Sequence, residues 1–89
     1  MIRKQITIIN KLGLHARAAA KLVTCASGFT STVKLCRGNR EVNGKSIMGV
    51  MMLAASQGTE LELIIEGEDE QQADNAICEL INNYFEEGE

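Results

Sequence analysis

The sequence predicts an α+β two-layer open-faced sandwich, a four-stranded antiparallel sheet with helices on one face. Four short segments alternate between apolar and polar residues, as strands with one face in water do. Three other segments repeat apolar residues at helical spacing, and the resulting order is β-α-β-β-α-β-α. A chain of 89 residues has room for one core, so we expect a single domain over residues 1–89.

The first half of the chain contains three of the strands and one helix. Residues 2–9 form an alternating strand, and residues 10–13 supply turn chemistry after it. Residues 16–27 are helical in pattern, and their apolar stripe consists of Ala19, Leu22, Val23 and Ala26. Residues 32–37 and 40–42 are strands that a Gly-Asn pair joins through a tight turn.

The second half continues with a helix, a strand and a last helix. Ser46 is a favoured N-cap and precedes a predicted helix over residues 47–55. Residues 60–66 alternate as a strand with one apolar side. The last helix begins near Asp69, whose side chain is expected to cap it, with Gln72 completing a capping box. Its predicted buried stripe consists of Ala73, Ala76, Ile77, Leu80, Ile81 and Tyr84.

Composition narrows the classes of function. The net charge of −3 does not favour binding to nucleic acid. Cys25, Cys36 and Cys78 lack the paired spacing of a disulfide framework or zinc site, which favours a reducing cytosol and no metal. No apolar run is long enough to cross a membrane, and the N-terminus lacks the apolar block of a signal peptide. We therefore expect a cytoplasmic protein with no membrane insertion.

The single histidine lies at the start of the first helix. His15 precedes Ala16 and Arg17, whose backbone N–H groups have no carbonyl of their own helix to bond. This positive helix end suits an anion such as phosphate, and the forked guanidinium of Arg17 fits phosphate oxygens. A neutral imidazole is a competent nucleophile towards phosphorus. Taken alone, a histidine before a helix is also compatible with a structural residue that has no chemistry.

Two motifs give the chain a resemblance to a known family. Residues 13–17 read Gly-Leu-His-Ala-Arg, and residues 42–49 read Val-Asn-Gly-Lys-Ser-Ile-Met-Gly. In sequence and separation they resemble the two signatures of the HPr family, the histidine-containing phosphocarriers of the bacterial phosphoenolpyruvate-dependent phosphotransferase system. The likeness extends over essentially the whole chain, and its element order is the same. The chain has Ala18 where the family commonly has proline.

The resemblance implies a covalent carrier rather than an independent enzyme. His15 would accept a phosphoryl group on Nδ1 from phospho-enzyme I, which phosphoenolpyruvate charges, and pass it to an enzyme IIA-type acceptor. Arg17 would steady the phosphoryl group during both transfers. The resemblance implies no cofactor and no metal, and transient docking to these partners suits a monomer.

The resemblance also implies a regulatory site and a docking face. Ser46 would be phosphorylated by HPr kinase/phosphorylase, a role that can coexist with capping the second helix. Flexible methionines beside it suit a surface that meets several partners. The residues assigned to partner binding are Leu14, Ala16, Ala20, Lys21, Thr24, Ile47, Met48 and Met51.

Three alternatives stand beside the phosphocarrier of sugar uptake. A nitrogen-related regulatory paralogue would use the same chemistry on different partners. A non-catalytic α+β binding module would contain a structural His15, and its replacement would leave function intact. A metal or redox protein would use the cysteines, but Cys25, Cys36 and Cys78 lie apart in strand and helix segments, where they are more often small apolar residues.

Overall fold

The strands form one antiparallel sheet in the order β1-β4-β2-β3 in a computed structural model that describes residues 1–87. They are β1 (Ile2–Thr7), β2 (Thr32–Arg37), β3 (Arg40–Asn43) and β4 (Glu60–Glu66). The predicted fold class is confirmed. β1 ends two residues earlier than predicted, but Ile8 still exchanges backbone hydrogen bonds with Gly58 and Thr59 beyond the ladder.

The helices are α1 (Ala16–Ser27), α2 (Ile47–Met52) and α3 (Glu70–Asn82), and a 3₁₀ turn, Tyr84–Glu86, follows α3. Their apolar stripes pack on the inward side chains of the sheet. The largest fully buried apolar side chains are Ile8, Leu22, Val33, Leu35, Val50, Leu53, Leu61, Leu63, Ile65, Ile77 and Phe85. Within residues 1–87, no helix has the length and apolar character that crossing a bilayer requires.

α2 is shorter than predicted. It ends at Met52, and Leu53 follows as its C-cap. Ala54 then takes the left-handed conformation, with φ of +50°, and its side chain is exposed. The turn buries Ala55, whose carbonyl accepts a hydrogen bond from the N–H of Leu14 at 2.8 Å. A tertiary contact to the loop before α1 therefore ends the helix.

The start of α3 corrects the prediction that Asp69 caps it. The Asp69 side chain makes no capping bond to α3. Its carboxylate instead accepts hydrogen bonds from the N–H of Thr30, the N–H of Ser31 and the Ser31 hydroxyl at 2.9, 2.9 and 2.5 Å. Gln72 is exposed, and the helix entrance is held by Glu70, which accepts from Gly67 N at 3.1 Å. Asp69 thus joins α3 to the segment before β2.

The end of α3 corrects a second prediction. Tyr84 was expected to continue the buried stripe but is exposed, and Phe85 is fully buried in its place. The helix stops at Asn82, and residues 84–86 all take positive φ angles of +57°, +53° and +65°. This left-handed turn rotates the chain away from helical spacing, so the next aromatic side chain enters the core.

Candidate functional site

The loop between β1 and α1 is held from both sides. Within the loop, Asn10 is fully buried, and its Nδ2 donates to Gly13 O at 2.9 Å. From outside, Ala55 O accepts the Leu14 N–H, as described above. Gly13 has φ of +68°, and a Cβ atom there would lie 2.5 Å from Ala55 O, so this position requires glycine. The loop therefore has little freedom where it enters α1.

Leu14 does not belong to the exposed docking face that the sequence predicted. Only 5% of the residue is accessible, and it belongs to the hydrophobic core. Its backbone N–H and its side chain both point to structural partners. Leu14 therefore anchors the loop that precedes His15, and little of its surface is accessible to a partner protein.

His15 precedes the first turn of α1. Its backbone is extended, with φ of −73° and ψ of 177°, and its carbonyl accepts the Ala19 N–H at 2.8 Å. The imidazole makes no capping bond to the helix, so it does not use the N–H groups of the first turn. Those of Ala16 and Arg17 have no carbonyl within the helix to bond, and they keep the positive helix end available for an anion.

A carboxylate absent from the sequence-based prediction completes the site. Glu87 Oε2 lies 2.6 Å from His15 Nε2, and Glu87 Oε1 accepts from Asn10 Nδ2 at 3.1 Å. Desolvation raises the pKa of Glu87, but the hydrogen bonds from His15 and Asn10 and the positive charge of Arg17 outweigh it. The pKa of Glu87 therefore lies below the usual value for glutamate. Glu87 is therefore ionised at neutral pH.

This contact selects one arrangement of the imidazole proton. An ionised carboxylate has no hydrogen to donate, so Nε2 of His15 carries the shared proton. In the neutral ring, Nδ1 then keeps its lone pair. The contact therefore leaves the free lone pair of the neutral ring on Nδ1.

Arg17 and His15 line one cleft. Its volume is about 390 Å³, and its walls comprise Lys11, Leu12, His15, Arg17, Glu86 and Glu87. The Arg17 residue is exposed, and none of the acidic side chains within residues 1–87 forms an ion pair with it. As far as residues 1–87 are concerned, its guanidinium is therefore available to an anion that approaches the imidazole.

Ser46 caps α2 as predicted. Its hydroxyl oxygen accepts the Gly49 N–H at 3.1 Å.

The apolar residues after Ser46 are largely exposed: Ile47, Met48 and Met51 each expose 40% or more of their surface, with Met48 at 69%. Met52 and Leu12 are exposed as well, and the sequence-based prediction did not include them. The four exposed α2 residues, Ile47, Met48, Met51 and Met52, are called the apolar patch below.

The α1 residues assigned to docking differ in their accessibility. Ala16 and Thr24 are exposed, while Ala20 and Lys21 are half-buried. Lys21 is also committed within the fold, because its Nζ donates to Phe85 O at 2.8 Å and lies 3.6 Å from a carboxylate oxygen of Glu86. Lys21 thus holds the turn that delivers Glu87 to His15.

The cysteines do not form a reactive cluster. All three are free thiols and only partly accessible, and desolvation raises the pKa of each of them. Cys78 donates to Asp74 at 3.3 Å, which favours the protonated thiol further. No group of three metal-ligating side chains occurs within residues 1–87.

The fold and the site together define a class: a small open-faced α+β sandwich with an oriented histidine at a helix N-terminus. Comparison with known proteins supports this class. The family model described as "PTS HPr component phosphorylation site" matches residues 2–83. The chain is 60% identical to phosphocarrier protein HPr of Pseudomonas aeruginosa, covering 96% of each chain. It is 55% identical to phosphocarrier protein HPr of Neisseria meningitidis, covering both chains completely.

Among solved structures, a crystal structure of HPr from Thermoanaerobacter tengcongensis superposes with a TM-score of 0.94 at 47% identity, covering 98% of each chain. The chain therefore belongs to the HPr family, the phosphocarrier proteins of the phosphotransferase system.

Proposed function

We propose that His15 carries the phosphoryl group, accepting it on Nδ1 from phospho-enzyme I and passing it to a histidine of an enzyme IIA-type acceptor. The contact between Glu87 and Nε2 of His15 carries this proposal, because it leaves the lone pair on Nδ1. Membership of the HPr family supplies the general class of donor and acceptor. The whole chain would act as one domain and one covalent carrier, without a cofactor.

In the accepting step the Nδ1 lone pair forms a bond to phosphorus while the bond from phosphorus to the donor breaks. No proton needs to leave first, because the neutral ring already holds its proton on Nε2. The new N–P bond places positive charge on the ring, and the Glu87 carboxylate offsets this charge. The phosphoryl oxygens gain the free N–H groups of the first turn of α1 and the Arg17 guanidinium. The donating step is the reverse.

The apolar patch and the exposed residues of α1 support docking of enzyme I and the acceptor. Flexible methionines can adapt to more than one partner surface. Ser46 is proposed as a regulatory phosphorylation site for HPr kinase/phosphorylase: a phosphate there would keep the helix start stabilised and add negative charge beside Met48. The negative net charge supports a protein that binds no nucleic acid, and the transient nature of such docking supports a monomer. We also propose that it acts in the cytoplasm without inserting into a membrane.

The direct test is phosphate incorporation from phosphoenolpyruvate and enzyme I into the wild type and His15→Ala. We expect one acid-labile phosphate on the wild type and none on the variant. Equal labelling of both would move the chemistry away from His15. With an enzyme I proven active on its own carrier, no labelling of either would favour the nitrogen-related paralogue with another donor, or a non-catalytic binding module.

A further inference from the structure

Two arginines face each other across the β2–β3 hairpin. Arg37 and Arg40 are direct cross-strand partners, and Leu35 and Val42, also partners, lie two residues along each strand on the same face. The arginines therefore lie on the side of the sheet that carries the helices. Two like charges directly opposite each other are unfavourable. Within residues 1–87, neither guanidinium is paired with a carboxylate, so the hairpin by itself offers no compensation.

Both arginines bind backbone carbonyls where α2 ends. Arg37 Nη1 donates to Leu53 O at 2.8 Å and to Ala54 O at 2.9 Å. Arg40 Nη1 donates to Met52 O at 2.5 Å. The last carbonyls of a helix have no partner within it, and arginine side chains can satisfy them. Two guanidiniums thus hold three consecutive carbonyls, and residues 52–54 are called the clamped turn below.

The clamped turn leads directly to the loop that carries His15. Ala54 has φ of +50°, a left-handed conformation that is strained for a residue with a Cβ atom. The next residue, Ala55, accepts the Leu14 N–H, and Gly13 approaches the same carbonyl closely. Leu14 directly precedes His15. A continuous series of hydrogen bonds and covalent links therefore runs from the hairpin arginines to the start of α1.

We infer that Arg37, supported by Arg40, is a positioning residue for His15. By holding Ala54 in its strained conformation, Arg37 keeps the Ala55 carbonyl directed at Leu14 and so keeps the imidazole at the helix entrance. The inference rests on the proposed function in that His15 is taken as the phosphoryl acceptor. Without the clamp, Ala54 relaxes towards ordinary φ values, the hydrogen bond from Leu14 to Ala55 is lost more often, and His15 leaves its transfer geometry more often.

The test compares Arg37→Met with Arg3→Met. Methionine keeps an unbranched apolar stem and removes the donors. Arg3→Met is the control because it removes the same charge. Arg3 pairs with Glu62 on the exposed part of the sheet. Amide hydrogen exchange reports the hydrogen bond of Leu14, and Leu63 in the central strand β4 reports global opening. In Arg37→Met we expect exchange of Leu14 to accelerate at least about tenfold, with Leu63 unchanged. Arg3→Met leaves both unchanged.

Kinetics add a readout that a purely structural role would not move. With phospho-enzyme I as donor, Arg37→Met should lower kcat while KM changes no more than in Arg3→Met. Adding Ala54→Gly should restore the protection of Leu14 and kcat together, because glycine takes the left-handed conformation without strain. Wild-type protection of Leu14 in Arg37→Met, or equal acceleration at Leu14 and Leu63, would overturn the inference. If the wild type accepted no phosphate, the proposed function would fail, while the exchange data would still test the clamp.

Discussion

The carboxylate of Glu87 lies 2.6 Å from Nε2 of His15, although 72 positions separate them in the chain. Three neighbouring interactions hold it there. Phe85 is buried in the core, Lys21 donates to the Phe85 carbonyl, and the buried amide of Asn10 donates to the second oxygen of Glu87. The segment after α3 therefore takes part in the site rather than forming a solvated acidic tail. Gly88 and Glu89 lie outside the described residues.

Replacing Glu87 with Gln should slow phosphoryl acceptance by roughly tenfold or more. The amide removes a charge-assisted hydrogen bond, which is worth roughly 1.5–3 kcal/mol, and about 1.4 kcal/mol corresponds to a factor of ten. The initial rate of labelling by phospho-enzyme I measures the effect. Glu86→Gln is the control, since Glu86 is exposed and its carboxylate pairs with Lys21, whereas the carboxylate that contacts the imidazole belongs to Glu87. Equal rates for the two variants would show that the carboxylate does not assist the imidazole.

Gly13→Ala should destabilise the protein more than Gly38→Ala. Both glycines have similar positive φ angles, +68° and +61°, so the conformational cost of a Cβ atom, about 1–2 kcal/mol, is shared. At Gly13 the new atom also lies 2.5 Å from Ala55 O, whereas at Gly38 nothing lies within 4 Å. Urea unfolding measures the difference, and phosphate incorporation should fall in Gly13→Ala alone. Equal unfolding free energies would mean that the loop yields without cost.

The interaction of Asp69 with Thr30 and Ser31 should make stability depend on pH in the acid range. The Ser31 hydroxyl and the backbone N–H groups of Thr30 and Ser31 hold the pKa of Asp69 at about 2, below its ordinary value of 3.8. Because the pKa is lowered in the folded state, the stabilisation is fully present above pH 3.8 and is lost as pH falls towards 2.

Asp69→Asn should therefore lower the free energy of unfolding at neutral pH, and its deficit relative to wild type should shrink between pH 4 and pH 2. Urea titrations over this range measure it. Glu68→Gln at the exposed neighbouring position should show no such dependence. A deficit for Asp69→Asn that stays constant with pH would contradict the assignment.

Ser46→Ala should lower the free energy of unfolding by about 1 kcal/mol, because the Gly49 N–H loses its acceptor. Thermal or urea unfolding measures this loss. Ser46→Asp should keep most of the stability, since a carboxylate also accepts from the first turn of a helix. Ser27→Ala, at the exposed end of α1, is the control for loss of a hydroxyl. A loss in Ser27→Ala as large as in Ser46→Ala would rule out the capping explanation.

The sequence alone predicted the parts of the fold that depend on near neighbours in the chain. The bounds of α1, β2 and β4 match the predicted ranges, because apolar periodicity reports which side of a segment is buried. Ser46 was also predicted correctly as a cap, because capping is a local interaction: its hydroxyl oxygen and the Gly49 N–H belong to residues only three positions apart. His15 was predicted at the entrance of α1, where the structure has it.

The sequence-based predictions were wrong where a contact with a residue distant in the chain determines the position of a side chain. Leu14 was assigned to the docking face, but the loop turns its side chain into the core. Asp69 was predicted to cap the helix that follows it, but the segment before β2 offers its carboxylate three donors. Tyr84 continued a helical stripe in sequence, but the chain leaves the helix before reaching it. In each case the local preference was reasonable and a tertiary interaction outweighed it.

By itself, the sequence determined the order of elements, the one-sided sheet and a histidine at a positive helix end, all of which follow from patterns within a few residues. Only the tertiary structure decided that Glu87 orients this histidine and that Arg37 supports the turn behind its loop. An acidic residue near a chain end or an arginine at a hairpin has many possible partners. Folding selects one by bringing segments remote in sequence within hydrogen-bond distance, and no local pattern records that choice.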